Sequence, residues 1–277
     1  MDANKLKIKA TEYLQENSLT KDESLVLFQE TIAALDSGKL RVAEKIDDKW
    51  FVNTWIKEII LLGFKYGSLT NIPGTYTTYY DKDTIPVKQL TLDNKIRMVP
   101  GGSAIRSGSY VAPGTIVMPP AYINIGAYID SGCMIDSHAL VGSCAQIGKN
   151  VHLSAASQIG GVLEPAGALP VIIEDNVFIG GSCGIYAGVI IKAGVVLGSG
   201  VILNNSIPIF DSVTGTFIKK SDTEPLTIPE NAVVVAGTRP ITSGHGKKNS
   251  MHIYCPIIIK YKDAKTLAAT ALEDVLR

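Results

Sequence analysis

The sequence predicts a mainly β protein whose middle is a parallel β-helix built from hexapeptide repeats. Three observations carry that expectation. Every sixth residue in one phase (Val111, Val117, Ile123, Ile129, Ile135, Val141, Ile147, Leu153, Ile159) is a branched aliphatic, and after one slip the series resumes as Ile173, Ile179, Ile185, Ile191, Leu197, Leu203 and Ile209. Four residues after each aliphatic stands a small or β-branched residue, as at Ala121, Ala127, Cys133, Ala139, Val177, Cys183, Val201 and Ile207. The residue directly after the aliphatic is often Gly, Asp or Glu, as at Asp130, Asp136, Gly142, Gly148, Glu174 and Gly198. Neither the alternation of an ordinary strand nor the 3.6-residue helical period produces this pattern. Each hexapeptide makes one flat side: a short strand whose aliphatic points inward, then a turn. Three sides close a coil, so the series gives about five coils at the ~4.8 Å strand spacing.

The phase slip needs an excursion. Residues 160–172 (Gly160, Gly161, Val162, Leu163, Glu164, Pro165, Ala166, Gly167, Ala168, Leu169, Pro170 onward) are rich in Gly and Pro and read as a loop leaving the coil. A long loop on a regular solenoid is a place where function tends to sit.

The flanks differ. Residues 1–98 lack the hexad and form an α-rich N-terminal domain. Its N-terminus reads as a charged amphipathic helix, and Thr20 with Glu23 is a capping-box pattern opening a second helix through about Ser37, stopped by Gly38. Arg41 to Val52 reads as a hairpin around Asp47-Asp48, followed by a helix whose Trp55, Ile56, Ile59 and Ile60 make core contacts. The β-helix takes 99–210. The remainder, 211–277, is a small C-terminal β/α cap with strands near Asn231–Ala236 and Ile253–Tyr261 and a helix near Asp263–Arg277. Such a cap is expected because the open end of a β-helix exposes unpaired strand edges.

Composition narrows the partners. The 277 residues carry 26 Lys plus Arg against 26 Asp plus Glu, which argues against bulk binding to nucleic acid or an anionic membrane. The N-terminus has no apolar signal-peptide core, and the most apolar stretch, Val189 to Leu203, is broken by Lys192, Gly194, Gly198 and Gly200. A cytoplasmic location is expected. The 4 Cys and 4 His show neither paired nor ligand-like spacing, so no metal is expected, and Cys133 and Cys183 fall in inward slots as inert core.

A fold of this kind hosts several activities. Four stretches are more specific: Gly38-Lys39-Leu40-Arg41-Val42-Ala43-Glu44-Lys45, Tyr122 to Tyr128, Val141 to Ser154, and Gly160-Gly161-Val162-Leu163-Glu164-Pro165. Together they closely resemble the tetrahydrodipicolinate N-succinyltransferase family, over nearly the whole chain. The resemblance implies a left-handed coil, a homotrimer, and acyl transfer from succinyl-CoA or acetyl-CoA to a cyclic imino acid. That chemistry belongs to lysine and diaminopimelate synthesis or a related tabtoxin-like pathway. The acyl-CoA is implied to lie in a groove between neighbouring prisms, partly covered by the loop, as a co-substrate rather than a resident cofactor.

Transfer from a thioester needs alignment, proton removal from the attacking nitrogen, and support for the tetrahedral oxyanion. By the resemblance, Arg97 clamps a substrate carboxylate, a bidentate task suited to a guanidinium. Without it, Arg97 reads as an ordinary surface residue. Asp136 matches the family's substrate-contacting, proposed basic Asp. On spacing alone it reads as a turn residue, since Asp130 occupies the same hexad slot. The chain also departs from the family. Where the family has Gly-Ala-Arg-Ser-Glu-Val-Val-Glu-Gly, this sequence has Gly180-Gly181-Ser182-Cys183-Gly184-Ile185-Tyr186-Ala187-Gly188, so Gly184 replaces a Glu considered a catalytic partner and Ser182 an Arg. The family's Asp-Thr-Trp is Asp136-Ser137-His138. His138 is therefore a candidate to take up base duty, against the plain reading of a solvent-facing corner residue. For CoA the candidates are Gly160 and Gly161 in the loop and the basic pair Lys247-Lys248, with Lys219-Lys220 as a further basic pair. Either pair also reads as solvated surface. The alternative to an enzyme is a trimeric β-helix scaffold that lost its chemistry with the missing Glu.

Overall fold

The computed structural model describes residues 3–16, 20–74 and 77–262. Its centre is a left-handed parallel β-helix with three flat faces. The first face stacks Arg97–Met98, Ile116–Val117, Met134–Ile135, His152–Leu153, Phe178–Ile179, Val196–Leu197 and Ala232–Val235. The second stacks Ala104–Ile105, Tyr122–Ile123, Leu140–Val141, Gln158–Ile159, Gly184–Ile185 and Ile202–Leu203. The third stacks Tyr110–Val111, Tyr128–Ile129, Gln146–Ile147, Ile172–Ile173, Ile190–Ile191 and Thr227–Ile228.

The two-residue strands follow from the hexad. In each, the second residue is the predicted aliphatic and is buried, from Val111 through Leu203. The small residues fill the narrow corners: Ala127, Cys133, Ala145, Val177 and Cys183 join the aliphatics in one continuous core. Ile207 departs from the series, being only half-buried where the chain leaves the coil. Burial pushes the Cys133 and Cys183 thiols up to about 11, which keeps them protonated and unreactive.

The coil is longer than the hexad series. It starts at Arg97–Met98, inside the expected N-terminal segment. After an excursion it is rejoined by Thr227–Ile228 and Ala232–Val235, beyond the expected end at 210. The excursion in the middle runs from Gly160 to Val171, since Ile172 already pairs with Gln146. The hexad does reappear at the far edge, where Ile228 and Val234 are six apart with small Ala232 between them, but two hexads behind an excursion do not stand out, and Met98 lies one residue out of phase with the series.

The N-terminal domain packs α1 (Ala3–Glu16), α2 (Lys21–Asp36) and α3 (Thr54–Tyr66) around Leu6, Leu27, Phe28, Ile56, Ile59 and Ile60. The capping box at Thr20 and Glu23 is present, and Gly38 turns the chain at φ 71°. The hairpin Ala43–Ile46/Lys49–Val52 turns at Asp47 and Asp48, both at positive φ. This domain covers the third face. Arg41 stacks 3.8 Å over the Tyr128 ring and its Nε donates to Gln146 Oε1 at 3.1 Å, while Ala43 packs on Ile172 and Ile190. Glu174 fastens the hairpin: its carboxylate accepts from Trp50 Nε1 at 3.0 Å and pairs with Lys45 at 3.0 Å and Lys192 at 3.5 Å.

At the far end, Ile257–Tyr261 pairs antiparallel with Ala232–Val235 and parallel with Ile209–Asp211. A second hairpin, Thr238–Pro240 with His252–Tyr254, carries the short α4 (Gly244–Lys248) at its tip. The strand expected over Ile253–Tyr261 is broken at Cys255-Pro256. The expected helix at 263–277 lies outside the described residues. No helix among the described residues is long and apolar enough to cross a membrane.

Candidate active site

The hexad turns the first face into a ruler. Arg97, Ile116, Met134, His152 and Phe178 occupy one outward column, each paired to the next. Asp136 follows Met134 by two residues, at the corner where the first face bends into the second. Arg97 therefore lies two strand spacings from the Met134 rung, ~10 Å along the prism.

Local structure sets each side chain. Arg97 is delivered by a one-turn 3₁₀ helix, Leu92–Asn94, whose Thr91 N–H donates to Asn94 Oδ1 at 2.7 Å, with Lys95 at positive φ. It is exposed and enters no ion pair among the described residues. The Asp136 backbone is held twice: its N–H donates to Leu153 O at 2.9 Å and its carbonyl accepts from Ala139 at 3.1 Å.

The structure gives Asp136 a partner that sequence reasoning passed over. His152 Nε2 stands 2.9 Å from Asp136 Oδ2. The imidazole meets the Phe178 ring edge to face at 5.1 Å. Pairing of Met134 with His152 is the signal that could have found it, because it puts His152 one coil from Asp136 on the same face. His138, the sequence candidate, sits instead at a turn position with φ 63°, and its N–H donates to Pro120 O. Ala156, Ser182 and Gly200 fill the same left-handed slot in later coils. Its ring is exposed and makes no hydrogen bond to Asp136 among the described residues.

Gly184 stands outward on the second face above Gln158. The Tyr186 ring fills the space a side chain there would take, and its hydroxyl donates to Gln158 Oε1.

The CoA candidates separate. Gly160 and Gly161 have a packing reason to be glycine: a side chain on Gly160 would strike Tyr186, and one on Gly161 would strike the Ser143 backbone. Gly161 also lines a cavity of about 1430 Å³ between the hairpin, the loop and residues 220–225, together with Lys49, Lys192 and Lys220. Lys247 and Lys248 are exposed on α4 and do not line it. The loop is tied down by Lys57, a fully buried α3 lysine whose Nζ donates to Ala168 O at 2.6 Å. Burial lowers its pKa from 10.5. No group of three or more metal-ligating side chains is gathered among the described residues.

Comparison with known proteins adds two family profiles and close relatives. Residues 9–66 match the profile described as tetrahydrodipicolinate N-succinyltransferase N-terminal, and residues 170–205 match the hexapeptide repeat of succinyl-transferase. The 2,3,4,5-tetrahydropyridine-2,6-dicarboxylate N-succinyltransferase of Aromatoleum aromaticum is 45% identical over 252 residues, 89% of this chain and 87% of the relative. The enzymes of the same name from Erwinia tasmaniensis and Pasteurella multocida are 45% and 44% identical, each over 90% of this chain.

Proposed function

We propose, from the premise that the chain belongs to the tetrahydrodipicolinate N-succinyltransferase family, that it is an acyl-CoA-dependent N-acyltransferase acting on tetrahydrodipicolinate or a close cyclic imino acid. The observation that carries this reading is the placing of Arg97 and the Asp136–His152 pair on one face of the prism. A cyclic imine nitrogen carries no N–H, so water must first add across C=N to give an amine able to attack a thioester. Arg97 then holds an acceptor carboxylate, and the corner at Asp136 receives the reacting nitrogen.

Acyl-CoA is read as a co-substrate, and a cytoplasmic location goes with that reading. Lysine and diaminopimelate synthesis is the pathway read from the relatives. Gly184, Ser182 and His138, where family residues are replaced, cluster on the second face and its corner, which supports an altered acceptor or acyl chain. The homotrimer reading is supported by outward side chains such as Tyr122 on the second face, which stay exposed for neighbouring prisms.

The test is direct. Incubation with tetrahydrodipicolinate and either succinyl-CoA or acetyl-CoA, followed by free thiol, should give acceptor-dependent release, and the ratio of rates identifies the acyl chain. Absence of release with either donor overturns the reading in favour of a non-catalytic scaffold. Light scattering at micromolar concentration should give three times the chain mass.

A further inference from the structure

We infer that His152 is the group that takes the proton from the attacking nitrogen, and that Asp136 acts by orienting it; this rests on the N-acyltransferase reading above. A carboxylate only accepts, so the 2.9 Å contact between Asp136 Oδ2 and His152 Nε2 requires the imidazole to carry its hydrogen on Nε2. That leaves the Nδ1 lone pair to receive a proton, and among the described residues nothing hydrogen-bonds to Nδ1. The ring is fixed by two further constraints: its strand is locked in register between Met134 and Phe178, and the Phe178 ring meets it edge to face at 5.1 Å.

Exposure agrees with that division of labour. The His152 side chain is 40% exposed and the Asp136 side chain 28%, so the imidazole is the more open to a substrate. Asp136 is the charged side chain in hydrogen-bond contact with His152 among the described residues. His138, at its turn, has no such orienting partner among the described residues.

The step balances. The amine lone pair forms the N–C bond to the thioester carbonyl, whose π electrons move to oxygen, and the N–H proton passes to His152 Nδ1. Collapse of the tetrahedral intermediate breaks C–S, and the departing thiolate takes the proton from the imidazolium. Asp136, facing Nε2–H throughout, stabilises the imidazolium between those events.

Kinetics and spectroscopy test this together. His152→Asn should lower kcat by roughly 10²–10⁴-fold, the usual loss for a general base, with KM for both substrates nearly unchanged. Asp136→Asn should lower kcat yet keep an acidic limb in the rate–pH profile, because the base remains and only its orienting carboxylate is gone. Nitrogen-15 spectra of the wild type should show one histidine as the Nε2–H tautomer, assigned by its disappearance in His152→Asn, whatever the activity of the variant. Near-normal turnover in folded His152→Asn overturns the inference. So does an Asp136→Asn profile without the acidic limb, or an Nδ1–H tautomer. Wild-type protein that releases no thiol defeats the acyltransferase reading itself, an outcome separate from these.

Discussion

Tyr186 lies across Gly184 and donates its hydroxyl to Gln158 Oε1 at 2.9 Å. A Cβ on Gly184 would stand 2.6 Å from the Tyr186 ring, and one on Gly160 would stand 2.7 Å from its other edge. Two glycines thus form the notch that holds one tyrosine. The missing family Glu and the presence of Tyr186 are one change in the shape of the second face. Gly184→Glu should therefore expel the ring and cost about 1 kcal/mol, the scale of a lost hydrogen bond with its packing. In a Tyr186→Ala background the same substitution should cost much less. Chemical denaturation of the four proteins in a double-mutant cycle measures the coupling.

Arg97 is exposed and unengaged by other described residues, so its removal should leave the fold alone. If it holds an acceptor carboxylate, Arg97→Ala should raise acceptor KM roughly 10- to 100-fold, the equivalent of a charged hydrogen-bond pair. The acyl-CoA KM should not move. Loss of affinity for both substrates, or for neither, counts against the role.

His138 pays a conformational cost at φ 63° that glycine does not. His138→Gly should leave turnover within a small factor of wild type and raise stability by up to about 1 kcal/mol. A large fall in kcat would restore this histidine to the chemistry.

The hairpin clamp should fail in acid. Burial raises the Glu174 pKa, but hydrogen bonds from Trp50 and Lys45 and the charges of Lys192 and Lys45 outweigh it, leaving the carboxyl below its ordinary 4.5. A group lowered in the folded state contributes stability that is present above its unfolded value and lost as pH falls through the folded one. Wild type should thus lose stability below about pH 4.5, faster than Glu174→Gln, which lacks this titration. Thermal melts across pH 3 to 7, with Trp50 fluorescence as the local probe, would show it.

Lys57 titrates in the opposite quarter. Its pKa is lowered by burial, so the unfolded chain binds the proton more tightly, and stability should rise with pH toward 10.5. Lys57→Met should abolish that rise. It should also free the loop at Ala168, read as faster amide exchange from Gly161 to Leu169.

Sequence and structure part company in an orderly way. The coil interior was legible because one aliphatic every six residues has a single geometric meaning. The capping box at Thr20 and the turn at Asp47-Asp48 were legible for similarly local reasons. The ends were harder to read: Met98 is one residue out of phase with the hexad, and Ile228 and Val234 resume it for only two hexads after a long excursion. The site divides the same way. Arg97 and Asp136 came from motif resemblance, whereas His152 becomes visible only once the coil length sets Met134 against it. His138 drew attention by nearness in sequence, but it sits in a left-handed turn with its ring exposed and makes no hydrogen bond to the Asp136 carboxylate among the described residues.

The strand that closes the first face runs the wrong way for another coil. Ile257–Tyr261 is antiparallel to Ala232–Val235, and Thr216–Ile218 is antiparallel to Ile209–Asp211 beyond it. A parallel solenoid propagates like a crystal growing in one dimension, and any bare rung is a seed for the next chain. Reversing the final strands denies an incoming coil its matching hydrogen-bond register on that face. On this face the C-terminal strands therefore offer an incoming parallel coil no matching edge, and truncation before Ile257 should shift size-exclusion elution toward higher mass.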